Sequence, residues 1–212
     1  TSRHRASQLR RQLHLVGRAK ARNEHIYYNI DAIYSAMNQN RQIRFDYMEW
    51  RQDGTRQKRG GTRQVSPYGL CWDNENYYLI AHRDPDGRRH YRVDRMERIE
   101  ITDEARLCPE QYRDLNMASY AKQVFGMFGG TDASVVLHFK PELADSAIDK
   151  FGSDIIMVPQ PDGGFTVTAN VSVSPTFFSW VFSFSGRVEI VAPEHVRAEY
   201  RRMCLQAAET AD

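Results

Sequence analysis

The sequence predicts an α+β protein: a small five-stranded β-barrel of the Sm or SH3 type, preceded by helices and followed by a ferredoxin-like βαββαβα domain. Three observations support this prediction. The chain of 212 residues is long enough for two small domains. Short runs of alternating apolar and polar residues occur between residues 41 and 104, and strand patterns alternate with helical ones beyond residue 133.

The chain divides into four segments by these patterns. We predict a basic helical linker and docked helix over residues 1–40, the barrel over 41–104, a helical connector over 105–132 and the ferredoxin-like domain over 133–212. Hydrophobic residues make up 41% and charged residues 26% of the chain, as in ordinary globular proteins. No apolar run approaches the ~18 residues of a membrane span, and no signal peptide is evident, so we expect a cytoplasmic protein.

The N-terminal segment combines basic residues with a helical repeat. Apolar residues recur three or four apart from Ser7 to Ala36. Up to Arg22 this stripe is too thin to stabilise an isolated helix. We therefore predict a basic arm from Ser7 to Arg22, joined to a docked helix from about Tyr28 to Asn38.

The barrel strands begin where the repeat changes to two. Ile43, Phe45 and Tyr47 lie on one face of the segment IRFDY, and a polar, basic stretch from Arg51 to Arg63 follows. The other predicted strands are RQVSPYGLCW, YYLIAH, HYRV and MERIEI, with the turns DNEN and DPDG between them. Because Asn, Asp, Gly and Pro favour tight turns, these short strands predict a highly curved barrel.

In the C-terminal half, the sequence pattern changes from short alternating strands to helices interleaved with strands. A loose helical stripe, with Pro109 near its start, ends in GMFGG, where Gly129 and Gly130 are expected to form a hinge. Beyond it we predict strands at Val135–Phe139, Ile155–Val158, Phe165–Val173 and Val188–Val191, and helices at Pro141–Phe151, Pro175–Phe184 and Pro193–Ala208.

The charge is unevenly distributed. Residues 1–98 contain 20 Lys/Arg against 11 Asp/Glu, whereas residues 99–212 contain 9 against 16. Such polarity favours an anionic partner for the first half, with nucleic acid or a nucleotide the commonest candidates. The alternative is that the two halves attract each other.

Catalytic and metal-binding patterns are weak. The seven histidines include no HxH or HExxH spacing, and Cys71, Cys108 and Cys204 are scattered, as expected for reduced structural thiols. Gly126, Gly129 and Gly130 lack the Lys-Ser/Thr ending of a phosphate loop. We therefore expect a binding protein that uses no metal or cofactor, rather than an enzyme.

Donors and aromatic rings concentrate between Arg63 and Arg98. The set comprises Arg63, Ser66, Tyr68, Tyr77, Tyr78, His82, His90, Tyr91, Arg92 and Arg95. Arginine donates hydrogen bonds to phosphate oxygens, and Tyr and His rings stack on nucleobases. The region is therefore typical of a site that binds phosphates and nucleobases. Tyr77, Leu79 and Val93 are assigned mainly to the core. Tyr68 could merely pack, and Arg95 could pair with Asp94 or Glu97.

Three ordered motifs, VSPYGLCW, NYYLIAH and HYRVDRMERIEI, resemble the core of the WYL-domain family. Tyr77-Tyr78-Leu79 stands in place of the family's Trp-Tyr-Leu. The resemblance extends to the helix IYYNIDAIYSAM before the barrel and to a C-terminal extension from Ser134 to Ala208. It therefore covers nearly the whole chain.

The resemblance implies a bacterial transcriptional regulator, in which an N-terminal winged helix-turn-helix binds DNA and the WYL barrel receives a signal. Residues 1–25 contain no such DNA-binding unit, so we expect the chain to be a dimeric regulator without it. The implied ligand is single-stranded DNA or a nucleotide. The residues assigned to ligand binding are Ser66, Tyr68, Tyr78, His82, Arg92 and Arg95, with Arg63 beside them.

Two other functions stay open from sequence alone. The apolar run FFSWVFSF is too hydrophobic for an exposed helix, so it packs within its own domain or against a partner subunit. The second case describes a dimerisation or protein-interaction module without its own ligand. A nucleic-acid enzyme is the third possibility, and it lacks a recognisable nucleophile or metal cluster.

Overall fold

The computed structural model describes residues 26–107, 112 and 116–209. Its helices and two antiparallel sheets confirm the predicted α+β class. The predicted basic arm from Ser7 to Arg22 and the predicted helix start at Pro109 lie outside the described residues. None of the helices in the described ranges is long and apolar enough to cross a membrane.

The first sheet follows helix α1 (Ile26–Asn38) and has six antiparallel strands. They are β1 (Arg41–Trp50), β2 (Arg56–Lys58), β3 (Arg63–Asp73), β4 (Asn76–Arg83), β5 (Gly87–Arg92) and β6 (Met96–Ala105). β1 pairs with β2, β3 and β6, and β3, β4 and β5 follow as neighbours. The predicted number of five strands is therefore wrong. β2 lies in the stretch predicted as a polar connection, and polar contacts such as Gln57 with Glu49 at 3.0 Å hold it in place.

The core of the first sheet is aromatic and aliphatic. Phe45, Tyr47 and Tyr91 meet edge to face, with ring centroids 5.2–6.3 Å apart. Leu79 and Val93 are fully buried in this core, as predicted, whereas Tyr77 is partly buried against it.

Helix α1 closes this core. Its fully buried Ile33 and Ala36 pack into the apolar cluster. The buried Asn29 amide donates to the carbonyl oxygens of Val93 and Met96 at 3.2 and 2.8 Å. This side chain therefore ties the helix to the 3₁₀ turn at Val93 and to the start of β6 at Met96.

The connector helix α2 (Met117–Gln123) packs on the other side of the sheet. Ile80 of β4 is buried in a small cluster with Tyr120, Val124 and Met127. Gly69 of β3 lies directly beneath Met117, because a Cβ there would come within 2.6 Å of the Met117 sulfur. The connector therefore covers part of the outer face of β3 and β4.

The second domain contains a four-stranded antiparallel sheet in the order β10-β7-β9-β8. Its elements are β7 (Thr131–Phe139), a 3₁₀ turn (Pro141–Leu143), α3 (Ala144–Phe151), β8 (Met157–Pro159), β9 (Phe165–Val173), α4 (Pro175–Phe182), β10 (Val188–Ala192) and α5 (Glu194–Glu209). The βαββαβα order agrees with the predicted one. The ferredoxin-like and Sm-like descriptions of the two domains stay predictions.

The apolar run FFSWVFSF makes up most of α4, and all of its large apolar side chains except Phe182 are buried or partly buried. Phe177 and Val181 are fully buried. The Trp180 ring contacts the rings of Phe125, Phe139, Phe151 and Phe184. Phe182 is 61% exposed. The hydrophobicity of this run is therefore explained by its own core, without a partner subunit.

Candidate ligand-binding face

Strand alternation divides β4 and β5 into two faces. The outer face carries three cross-strand pairs, Tyr78–Arg92, Ile80–His90 and His82–Arg88. The inner face carries Leu79 and Ala81, which pair with Tyr91 and Arg89. Because α2 packs over Ile80, the outer face is covered at its middle and accessible towards the His82–Arg88 end.

An aromatic–arginine cluster, defined as Tyr68, His82, Arg88, Arg106 and Tyr112, occupies that end. Tyr68 stacks on Tyr112 with ring centroids 4.0 Å apart and planes 6° apart. The Arg106 guanidinium lies 5.3 Å from the Tyr68 ring, and His82 meets Tyr112 edge to face at 5.7 Å. The cluster combines stacked rings with planar cations, the two groups that bind bases and phosphates.

Arg88 is the central cation of this cluster. Its guanidinium carbon lies 4.7 Å from the Tyr120 ring centroid and 5.5 Å from that of Tyr112. Burial opposes its charge, but interactions with the two tyrosine hydroxyls prevail and raise its pKa. Its Nε is buried without a hydrogen-bond partner among the described residues. Arg88 is thus a fixed positive charge with an unused donor.

His90 is held neutral beside Arg88. Its Nε2 lies 2.8 Å from the Tyr120 hydroxyl. Burial, together with the charge of Arg88, lowers the pKa of His90 to about 4. At neutral pH the imidazole therefore contributes hydrogen bonding and ring surface, and the arginines contribute the charge.

A cleft of about 660 Å³ opens at the junction of the two domains, next to the cluster. It is lined by Asp86, Arg88, Arg89, His90, Tyr120, Met127, Phe128, Gly129, Gly130, Asp132 and Ser172. Phe128 is 54% exposed. Arg88 lies 3.8 Å from Asp132 across the cleft. The volume is typical of small-ligand sites, and both domains supply its walls.

Besides His82 and Arg92, three predicted site residues lie on or beside the outer face, and they differ in how accessible they are. Ser66 is 1% exposed, and its hydroxyl accepts a hydrogen bond from the Leu107 amide at 3.0 Å. Tyr68 is partly buried and donates to the Leu107 carbonyl. Tyr78 packs against the α2 cluster, and burial raises its pKa. Of these three, Tyr68 is the one that the structure brings into the aromatic–arginine cluster, together with His82.

The predicted arginines lie apart from this cluster. Arg92 donates to both oxygens of Asp94 at 3.0 and 2.8 Å and to Asn76 at 2.7 Å, so its donors are already used. The Arg95 guanidinium has no ion-pair partner in the described ranges, and Glu97 pairs with Arg56 instead. Arg63 lies on the inner face beside Tyr91. The roles of these residues in ligand binding stay predictions.

Sequence reasoning missed Arg88, Arg106, Tyr112 and Tyr120. A signal for Arg88 was present, because the DPDG hairpin places it directly opposite His82. Tyr112 and Tyr120 come from the connector, and no local pattern indicates where a connector docks. Over the described ranges, no group of three or more His, Cys, Asp or Glu side chains could hold a metal ion.

Fold and site together define a class: a two-domain α+β protein with a basic, aromatic face at the domain junction. Comparison with family models identifies both domains. A WYL domain matches residues 28–101, and a WCX domain matches residues 131–208. The chain belongs to the WYL-domain family, which confirms the resemblance of its motifs.

Solved structures show more distant likenesses. The chain is 24% identical to the proteasome accessory factor B/C (PafBC) of Arthrobacter aurescens, covering 84% of this chain and 26% of that one, with a TM-score of 0.33. It is 16% identical to a CRISPR Cas-related protein, covering 91% of this chain and 55% of that one, with a TM-score of 0.48. This chain thus spans about half or less of their length. No curated protein sequence matches it.

Proposed function

We propose that this chain is the ligand-sensing region of a bacterial WYL-domain transcriptional regulator. Single-stranded DNA or a nucleotide binds the outer face of the WYL barrel, and the bound ligand modulates promoter binding by a helix-turn-helix that this sequence does not contain. The region acts as a homodimer and has no catalytic role. The presence of both a WYL and a WCX domain supports this proposal.

The observation that carries the proposal is the environment of Arg88. Its guanidinium lies near two tyrosine rings and lines the cleft, and its Nε has no hydrogen-bond acceptor among the described residues. A guanidinium pre-oriented in this way binds a phosphate at little entropic cost. The exposed ring of Phe128, which also lines the cleft, offers a surface for a base.

The cleft also suggests how binding reaches the second domain. Its walls include β5 of the barrel, the Gly129–Gly130 segment and residues of β7 and β9. Arg88 contacts Asp132 at 3.8 Å, and the Gly130 amide donates to Ser172 at 3.1 Å. A ligand that replaces Asp132 as the partner of Arg88 interacts differently with open and closed domain arrangements. Such differential binding is what an allosteric response requires.

The test is a titration of a labelled oligo-dT into the protein, followed by fluorescence anisotropy at several salt concentrations. Phe128→Ala removes an exposed ring at the cleft, and we expect roughly tenfold weaker binding, because base stacking on an aromatic ring is worth about 1–3 kcal/mol. Phe182→Ala is the matched control, since Phe182 is 61% exposed on the second domain. Absence of binding at low salt, or equal affinities for the two variants, contradicts the proposal.

The dimerisation module without a ligand is the alternative proposal. Because α4 is buried in its own domain, its support reduces to exposed side chains such as Ile156 at 79% and Phe182 at 61%. Light scattering of the purified chain separates the two: a stable dimer that binds no oligonucleotide or nucleotide favours the alternative.

A further inference from the structure

The inner face of the first sheet carries a second set of hydrogen-bond donors, apart from the outer face. Arg89 and Tyr91 of β5 pair with the core residues Ala81 and Leu79, and Arg83 follows them at the end of β4. Strand alternation therefore places Arg83, Arg89 and Tyr91 on one side. With Arg63 they form what we call the inner-face donor cluster.

Arg63 reaches this cluster from β3. Its guanidinium carbon lies 5.9 Å from the Tyr91 ring centroid and 5.5 Å from that of Tyr47. One terminal nitrogen donates to the Arg59 carbonyl at 3.1 Å. Its Nε is buried and has no partner among the described residues. Arg63 therefore places a cation with an unused donor beside the ring of the buried Tyr91.

Tyr91 is 4% exposed, and its hydroxyl makes no hydrogen bond of ordinary geometry within the described ranges. Burial raises the pKa of this phenol, against the opposing charges of Arg63, Arg83 and Arg89 and an interaction of the hydroxyl oxygen with Arg83, so the phenol stays neutral and its own hydrogen lacks an acceptor among the described residues. The carboxylate that the arginines contact is Asp86, 3.2 Å from Arg83 and 3.8 Å from Arg89. Donors thus outnumber acceptors, and unsatisfied buried groups of this kind are rare without a function.

We propose that the inner-face donor cluster binds a phosphate-type oxyanion, either inorganic phosphate or a terminal phosphate monoester. Guanidinium forks match the oxygens of such an anion, and Arg63 Nε and the Tyr91 hydroxyl supply the donors that lack acceptors. A terminal group can reach a hydroxyl this deep in the sheet, whereas an internal phosphodiester has chain on both sides. Arg89 also lines the cleft, but Arg63 and Tyr91 lie on the inner face, so the site is distinct from the outer face and does not depend on the function proposed there.

The test compares the native chain with Tyr91→Phe and Arg63→Met in millimolar inorganic phosphate, against chloride at the same ionic strength. Binding is followed by ³¹P line broadening and by the thermal midpoint. We expect phosphate to raise the midpoint of the native chain. Tyr91→Phe should bind phosphate about tenfold more weakly while keeping nearly the same stability without phosphate, because the lost hydroxyl makes no hydrogen bond of ordinary geometry to the described residues and loses only its interaction with Arg83. Tyr47→Phe is the contrast, because its hydroxyl accepts from the Arg92 amide at 3.1 Å and its loss destabilises the fold.

Two outcomes overturn the proposal: no response to phosphate, or an equal response in Tyr91→Phe, which indicates a general salt effect. If Arg63→Met does not fold, the Tyr91→Phe comparison still decides. Oligo-dT with and without a 5′-phosphate separates the two sources, since a terminal monoester gives tighter binding that Tyr91→Phe abolishes. Phosphate binding without any oligonucleotide binding supports this site and contradicts the outer-face function.

Discussion

Replacing Arg88 by methionine is the most informative single change at the outer face. It removes the guanidinium but keeps most of the aliphatic stem. The structure indicates a modest effect on folding, because the lost cation–π contacts at 4.7 and 5.5 Å are worth about 0.5–1 kcal/mol each and the interactions with the Tyr112 and Tyr120 hydroxyls are lost with them. The loss of a buried Nε without a partner offsets part of that cost. The ion pair with Asp132 at 3.8 Å is long and contributes little.

The effect on ligand binding is expected to be larger. A charge-assisted hydrogen bond to phosphate contributes about 1.5–3 kcal/mol, which corresponds to roughly 10- to 100-fold in the dissociation constant. Loss of one phosphate contact should also reduce the slope of log K against log salt by about 0.7 for a single strand. Fluorescence anisotropy with oligo-dT at several salt concentrations measures both quantities.

Arg44→Met is the control, because Arg44 is exposed on β1 and pairs with Glu100 at 2.6 Å. It should change neither affinity nor salt slope beyond the small effect of net charge. If Arg88→Met and Arg44→Met bind oligo-dT with the same affinity as the native chain, Arg88 contacts no phosphate and the assignment of the outer face is wrong.

Three further predictions concern the fold. His90 has a pKa of about 4 in the folded chain, against an ordinary value of 6.5. Between these values the unfolded chain binds more protons, so the free energy of unfolding falls as the pH decreases. Urea unfolding should therefore show a loss of roughly 2 kcal/mol from pH 7.5 to 5, and His90→Gln should remove this loss. Asn29→Ala removes the side-chain donor to the carbonyls of Val93 and Met96, although the Met96 amide still donates to Val93, and should cost about 1–3 kcal/mol in the same assay. An unchanged midpoint would contradict that account. Gly130→Ala places a Cβ 1.9 Å from the Val173 carbonyl oxygen. It should lower the thermal midpoint more than Gly69→Ala does, because the neighbour of Gly69 is the flexible Met117 side chain. The reverse order would show that the Gly130 backbone can move.

Much of the fold could be predicted from sequence, because local periodicity and turn chemistry are local signals. Alternation assigned Leu79 and Val93 to the core, and both are fully buried. Strand β2 escaped prediction because Arg56–Lys58 has no apolar alternation and is held by polar contacts with β1. A strand stabilised in this way looks like a loop in the sequence.

The candidate site was harder to predict, because chemistry identified residue types but not their partners. Arg92 has the expected donors, yet Asp94 two positions along the chain takes them. Ser66 lies in the matching motif, yet it is buried against the backbone of Leu107. Tyr112 and Tyr120 complete the rings around Arg88 through tertiary docking of the connector. Such long-range contacts leave no local sequence pattern.

Hydrogen–deuterium exchange with and without oligo-dT tests the central claim most directly, namely that the outer face and the domain-junction cleft receive the ligand. We expect slower exchange in β5 (Gly87–Arg92) and in the α2 region up to Gly130, with β10 and α5 unchanged. Protection confined to β10 and α5, or no protection at oligonucleotide concentrations well above the dissociation constant, would contradict the claim.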